Sequence, residues 1–303
     1  MTSEKLAFAL RPTVFTPKET LDAVTILDGD DRVSRIFVPE GRTSYESLEI
    51  TSSILGRTKR ISAGNGVIRL LEHDPALLSR RIQTIQAYSK NRFFLGVGTG
   101  SPGPQPGKTV QAMLERINKI KQGFESFPQG VEPPDIFVAT LKRTIAARSA
   151  GKVDGLLLNF CSPQHAANLI ESLDSSDKTD LELAIYLKIF YSSKDDGSAQ
   201  RLMSKEFLNY DSIPQYHAMF AQDGTARAIR ALREREDWKH GNMEVPRELL
   251  KVSLANPNPA ELSAYIASFR KSGITLPVLY PYFPDEEKSE FKIETVKQIL
   301  DSI

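Results

Sequence analysis

The feature of this chain that most narrows its fold is a rhythm. Eight short apolar runs alternate with longer amphipathic stretches. The runs are Leu6 to Leu10, Arg35 to Pro39, Arg60 to Val67, Phe93 to Gly98, Asp135 to Thr140, Asp154 to Phe160, Leu183 to Phe190 and Ile274 to Tyr280. Most lack a polar alternation, as strands buried on both faces do. Helix signals lie between them. Asp74-Pro75 caps a stretch with Leu77, Leu78, Ile82 and Ile85 at helical spacing, Thr109 to Phe124 carries one apolar stripe, and Ser162-Pro163 and Asn258-Pro259 open two more helices, the last closed by Gly273. Strands that alternate with helices pair in parallel through right-handed crossovers. Eight such units in 303 residues predict a closed (β/α)8 barrel, the TIM barrel, as one domain over residues 1–303. The count alone leaves a doubly wound sheet open. Residues 191–248 are too long for one crossover and read as a helical insertion after the seventh strand, with Tyr210, Pro214, Tyr216, Phe220 and Trp238. Such an insertion sits on the face where barrel sites form.

Composition removes several classes of function. Lys and Arg number 39 against 38 Asp and Glu, so the chain lacks the concentrated positive charge of a nucleic-acid binder. No apolar run approaches the roughly 20 residues of a membrane span, and the N-terminus has no signal-peptide pattern. Cys161 is the sole cysteine, so neither an internal disulfide nor a cysteine zinc cage is available, and the four histidines show no ligand spacing. A soluble, intracellular globular protein of the cytoplasm, with no metal, is the expectation.

In a barrel the C-terminal strand ends carry the chemistry. That rule selects Glu40, the Gly64-Asn65-Gly66-Val67 segment, Gly98-Thr99-Gly100, the Thr140 to Thr144 segment and Asn159. The glycine clusters let backbone approach a flat or anionic ligand, and serve equally in a plain loop. Neither is a dinucleotide fingerprint, since no helix opens at the third glycine of the Gly96 to Gly103 run, nor a P-loop, since Pro102 stands where that motif needs glycine. Lys142 and Arg143 stand where a helix begins after the fifth strand and suit a phosphate, or an ordinary charged first turn. Cys161 reads as a small core residue, and Arg230 to His240 as an exposed helical face.

Taken in order, these segments resemble the luciferase-like monooxygenases, the superfamily that includes bacterial luciferase and the coenzyme F420-dependent reductases and dehydrogenases. The match is sharpest from Thr58 to Gly100, with further likeness at Ile36 to Glu40, Ala150 to Pro163 and Ser272 to Phe283. The resemblance implies a TIM barrel that holds F420 or FMN at its mouth and passes a hydride between that ring and a small organic substrate. An FMN-dependent monooxygenase, or a barrel that has lost its cofactor, are the alternatives. It further implies a cis peptide at Gly66-Val67 behind the ring, and a cofactor groove lined by Gly64, Asn65, Gly66, Val67, Gly98, Thr99, Gly100, Thr140, Lys142, Arg143, Thr144 and Asn159. Glu40 is the implied acid beside the ring, and a homodimer through the Tyr45 to Leu55 and Leu77 to Tyr88 stretches is implied as well. Two departures stand out. Gly41 replaces a histidine common after that acid, and the loop after the fifth strand carries Lys142-Arg143 in place of a small pair.

Overall fold

A computed structural model describes residues 5–100, 106–125, 130–174, 181–194, 196–234 and 245–303. Eight parallel strands close on themselves. They are β1 (Leu6–Ala9), β2 (Val33–Val38), β3 (Ser62–Arg69), β4 (Phe93–Gly98), β5 (Asp135–Ala139), β6 (Gly155–Asn159), β7 (Glu182–Phe190) and β9 (Leu276–Tyr282). Each pairs with the next, and β9 returns to β1 through Ala7 opposite Val278 and Phe8 opposite Leu279, so the doubly wound alternative is excluded. A two-residue strand, β8 (Leu254–Ala255), adds to the end of β7 outside the closed set.

The interior explains which residues form these strands. Phe37, Phe94, Phe137 and Tyr186 point rings into one barrel layer, with Phe37 4.6 Å from Phe94, 5.6 Å from Phe137 and 6.0 Å from Tyr186. Those rings fit only because β3 and β6 present glycine beside them. A Cβ on Gly64 would lie 2.5 Å from the Phe94 ring, and one on Gly155 2.3 Å from the Phe137 ring. Large side chains on four strands against none on two others give the close packing a barrel core needs. At the N-terminal end Arg35 closes the barrel, bridging Asp135 at 2.8 Å and Glu182 at 2.9 Å and lying over the Phe94 and Phe137 rings.

The outer helices are α1 (Pro17–Leu27), α2 (Ser47–Arg57), α3 (Pro75–Ser89), α4 (Pro106–Gly123), α5 (Arg143–Ser149), α6 (Pro163–Glu171), α11 (Pro259–Lys271) and α12 (Ser289–Asp301). Their starts follow a common chemistry. Thr16, Asp74, Ser162 and Asn258 each cap a helix whose first residue is proline, and each side chain accepts from a backbone N–H in the first turn. After β7 come α7 (Ser198–Asp211), α8 (Pro214–Gln222), α9 (Ala226–Glu234) and α10 (Arg247–Leu250), the helical insertion. Phe160 at the end of β6 anchors it, stacking on Phe207 at 4.4 Å and meeting Phe220 edge-on at 5.8 Å.

Three expectations need correction. The third strand runs from Ser62 to Arg69 rather than from Arg60 to Val67, because Arg60 turns back to the carbonyls of Val33 and Asp30. The last strand begins at Leu276, two residues after Ile274, and continues through Pro281 and Tyr282. The helix after Asn258 is not the last: α12 follows it, burying Thr295, Val296, Ile299 and Leu300. Trp238, Gly103 and the second half of the Arg230 to His240 stretch lie outside the described residues.

Candidate active site

A cavity of about 420 Å³ opens at the C-terminal strand ends. That volume lies within the span typical of small-molecule sites. A wider groove of about 1100 Å³ runs on the outside of the barrel between the start of α6, α10 and α11. The smaller cavity is the functional candidate, since residues in or just after seven of the eight barrel strands converge on it and backbone lines one side.

One wall is backbone. Gly66 and Val67 from β3, Gly98, Thr99 and Gly100 from the end of β4, and Ala139, Thr140, Leu141 and Lys142 after β5 line it. The β3–β4 ladder skips between Asn65 and Ile68, and the Gly66–Val67 peptide within this irregularity is cis. A Cβ on Gly66 would lie 2.0 Å from the Tyr186 hydroxyl, which donates to the Gly66 carbonyl. Gly100 takes the left-handed conformation, φ 71°, which turns the chain away from β4. Thr140 folds its own loop, its hydroxyl donating to the Lys142 carbonyl at 3.1 Å and accepting from the Lys142 N–H at 3.0 Å. Lys142 stands exposed at the rim, and among the described residues its ammonium has no ion pair.

Glu40 borders the same wall, though not as a free acid. Its Oε2 accepts from the Arg69 N–H at 2.9 Å and faces the Arg69 guanidinium at 3.0 Å, while Oε1 lies 2.7 Å from His73 Nε2. Burial alone would push this carboxyl up, but the bonds from His73 and Arg69 outweigh it and hold the group below the usual carboxylate range. Glu40 is therefore kept ionised in this arrangement. It acts as the anchor that fixes Arg69 beside the cavity. Arg69 is braced from the other side by Glu72 at 2.9 Å.

The opposite wall comes from the insertion and from β6, β7 and β9: Tyr210, Ile213, Gln215, Tyr216, Asn159, Tyr186 and Tyr280. Asn159 Nδ2 donates to the Tyr216 hydroxyl at 2.7 Å and to that of Tyr210 at 3.4 Å. The two phenol rings meet edge-on with centroids 4.5 Å apart. Behind them Lys188 is wholly buried, its Nζ 2.8 Å from Glu206 Oε1 and 3.7 Å from the Tyr210 ring centroid.

Four of the expected residues do not reach the cavity. Gly64 faces Phe94 inside the barrel. Asn65 points outward, donating to Ser47 of α2 at 3.1 Å. Arg143 and Thr144 sit in the exposed first turn of α5, and neither touches the cavity. Conversely, Arg69, His73, Tyr186, Lys188, Glu206 and Tyr280 were not singled out from sequence. Cys161 is buried, and burial pushes its thiol up, so it is no nucleophile. Among the described residues no cluster of His, Cys, Asp and Glu has metal-site geometry, and no helix is long and apolar enough to cross a membrane.

The fold and the site define a (β/α)8 barrel with a small-molecule cavity floored by glycine backbone at its mouth. Residues 33–276 match the model of the luciferase-like monooxygenase family, and the chain belongs to that family. It is 23% identical, over 82% of its length and 84% of the relative's, to 5,10-methylenetetrahydromethanopterin reductase of Archaeoglobus fulgidus. Its fold is similar to that of the coenzyme F420-dependent tetrahydromethanopterin reductase of Methanopyrus kandleri, with a TM-score of 0.68, 13% identity and 99% of both chains covered. It is also similar to the oxygenating constituent of 3,6-diketocamphane monooxygenase of Pseudomonas putida, a type II Baeyer-Villiger monooxygenase in complex with FMN. There the TM-score is 0.61, with 14% identity and 98% and 97% of the chains covered.

Proposed function

We propose that this chain is an oxidoreductase that uses F420 or FMN to move a hydride to or from a small organic substrate, working as a cytoplasmic homodimer of a single-barrel subunit. The observation that carries the reading is the glycine-lined wall. At Gly98 a Cβ would stand 3.1 Å from Val67 on the cavity wall, and Gly66 brings bare backbone to the same wall because Tyr186 and Phe37 fill the place of its side chain, so the residues present fit a flat ring. Lys142, exposed at the rim, suits the phosphate that both cofactors carry. The family membership and the F420- and FMN-dependent relatives point the same way.

The cofactor, when bound, supplies the hydride chemistry. The chain's own residues orient and shield it. Gly66, Val67 and Gly98 would back the ring, the Thr140 loop would hold the chain that bears the phosphate, and the Glu40–Arg69 pair would present a fixed cation beside the ring. The tyrosine wall faces the substrate side and excludes water. Dimerisation is supported by Tyr45, Leu77 and Tyr88, large side chains of the α2 and α3 region that stand 53%, 43% and 46% exposed.

Turnover of the loaded protein tests the redox reading. Chain carrying reduced F420 or FMN, mixed without oxygen with a panel of small ketones, aldehydes and enones, should show cofactor reoxidation by absorbance. No reoxidation by any member, with cofactor bound, would leave only the monooxygenase reading to be tried with oxygen.

A further inference from the structure

We propose that Tyr210 and Tyr216 form a two-donor clamp for an uncharged oxygen acceptor on the substrate, a carbonyl above all. The inference rests on the redox reading only for its purpose, since the clamp itself is a binding site that exists without the cofactor. Its first support is hydrogen-bond bookkeeping. The amide Nδ2 of Asn159 donates to both phenol oxygens. Each hydroxyl is thus an acceptor on the Asn159 side, and its own proton is left to turn toward another oxygen. Both tyrosines are half-buried, and both line the cavity.

The second support is charge. On this wall the cavity meets Tyr186, Asn159, Tyr210, Ile213, Gln215, Tyr216 and Tyr280, with no charged side chain among them. The cations that do border the cavity, Arg69 and Lys142, lie on the backbone wall. A carboxylate or phosphate on the substrate would therefore lack a counter-ion here, whereas a ketone or aldehyde oxygen has two lone pairs for two donors. The Tyr186 and Tyr280 rings, 4.9 Å apart, supply apolar surface for the rest of such a molecule.

The third support lies behind the wall. Lys188 Nζ sits 3.7 Å from the Tyr210 centroid and 4.4 Å from that of Phe160. A fixed cation on the buried face of Tyr210 locks the ring orientation and favours electron density moving into the ring as its hydroxyl donates. Tyr210 comes from α7 and Tyr216 from α8, so the insertion after β7 supplies both arms. Substrate choice would then reside in that insertion.

Acetophenone and its hydrocarbon isostere α-methylstyrene, in which C=CH2 replaces C=O, form the test pair. Their affinities for the full chain are measured by ligand-observed NMR titration, without cofactor and with F420 or FMN added in turn. The wild type should prefer acetophenone. Tyr210→Phe and Tyr216→Phe should each weaken acetophenone about 3- to 10-fold, the range of one neutral hydrogen bond, and leave α-methylstyrene unchanged. Cofactor affinity should hold, because the phenylalanine rings keep the packing and, at position 210, the contact with Lys188, while the thermal midpoint should fall by only a few degrees as Asn159 Nδ2 loses one acceptor. Failure of acetophenone to bind, no preference for it in the wild type, or equal losses for both ligands would overturn the clamp. Unchanged acetophenone affinity in both variants would overturn it too, and would mean that the phenol protons are spent on the Asn159 amide oxygen. A ketone preference that depends on these hydroxyls, in a chain that binds neither cofactor, would keep the clamp and remove the redox role. Cofactor binding with no ketone preference would do the reverse.

Discussion

Replacing Glu206 by glutamine removes the counter-ion of Lys188, whose side chain is 0% exposed at 2.8 Å from the Glu206 carboxylate. An ammonium left buried without a partner destabilises the fold by about 3–5 kcal/mol. For a chain of this length that lowers the thermal midpoint by about 5–8 °C. Glu206, raised by burial but lowered more by Lys188 and Arg11, is ionised at neutral pH in the wild type. Urea unfolding at pH 7 measures the loss. Lys188→Met combined with Glu206→Leu should recover most of the loss, because a packed apolar pair needs no counter-ion. A gap below about 1 kcal/mol at pH 7 would refute the reasoning, since it would mean water reaches the ammonium.

Three further outcomes follow from the geometry. Gly98→Ala places a Cβ 3.1 Å from Val67 in the cavity and should weaken cofactor binding at least tenfold with little change in midpoint, whereas Gly96→Ala meets the Asn65 carbonyl oxygen at 2.0 Å and should unfold the barrel; paired cofactor titrations and melts separate the two. Glu40→Gln removes the charge that holds Arg69 and should weaken the cofactor at pH 7. Because the folded Glu40 carboxyl lies below its usual range, the stability it contributes is full above roughly pH 4.3 and is lost as pH falls through the folded value, so the midpoint difference between wild type and Glu40→Gln should vanish in acid. Sedimentation of the wild type at tens of micromolar should give a dimer that Tyr88→Glu dissociates; a monomeric wild type would remove the α2–α3 interface.

The barrel was legible because its strands are buried on both faces and leave continuous apolar runs, and because a capping residue followed by proline marks helix starts such as Pro75, Pro163 and Pro259. The C-terminal helix escaped notice, since its apolar positions Val296, Ile299 and Leu300 follow a charged stretch with no capping signal at Lys288. The glycines at the strand ends were legible as sites of close backbone approach, but sequence did not say which face each strand residue presents. Asn65 and Gly66 are neighbours in β3, yet Asn65 turns its side chain to α2 while Gly66 faces Tyr186 and Phe37 within the barrel and lends its backbone to the cavity wall. Glu40 pairs with His73, 33 positions away, a pairing no local motif encodes. Lys188 did carry a signal, a lone lysine inside an otherwise apolar strand run, which announces a buried counter-ion.

The central claim is that the glycine-floored cavity holds a flavin or deazaflavin ring. Equilibrium titration of the purified chain with FMN and with F420, followed by quenching of cofactor fluorescence, tests it most directly, with Gly98→Ala as the comparison. Saturable binding of one cofactor at micromolar concentration, weakened at least tenfold in Gly98→Ala, is the expected result. No binding of either cofactor at that concentration, or equal binding by wild type and Gly98→Ala, would contradict the account.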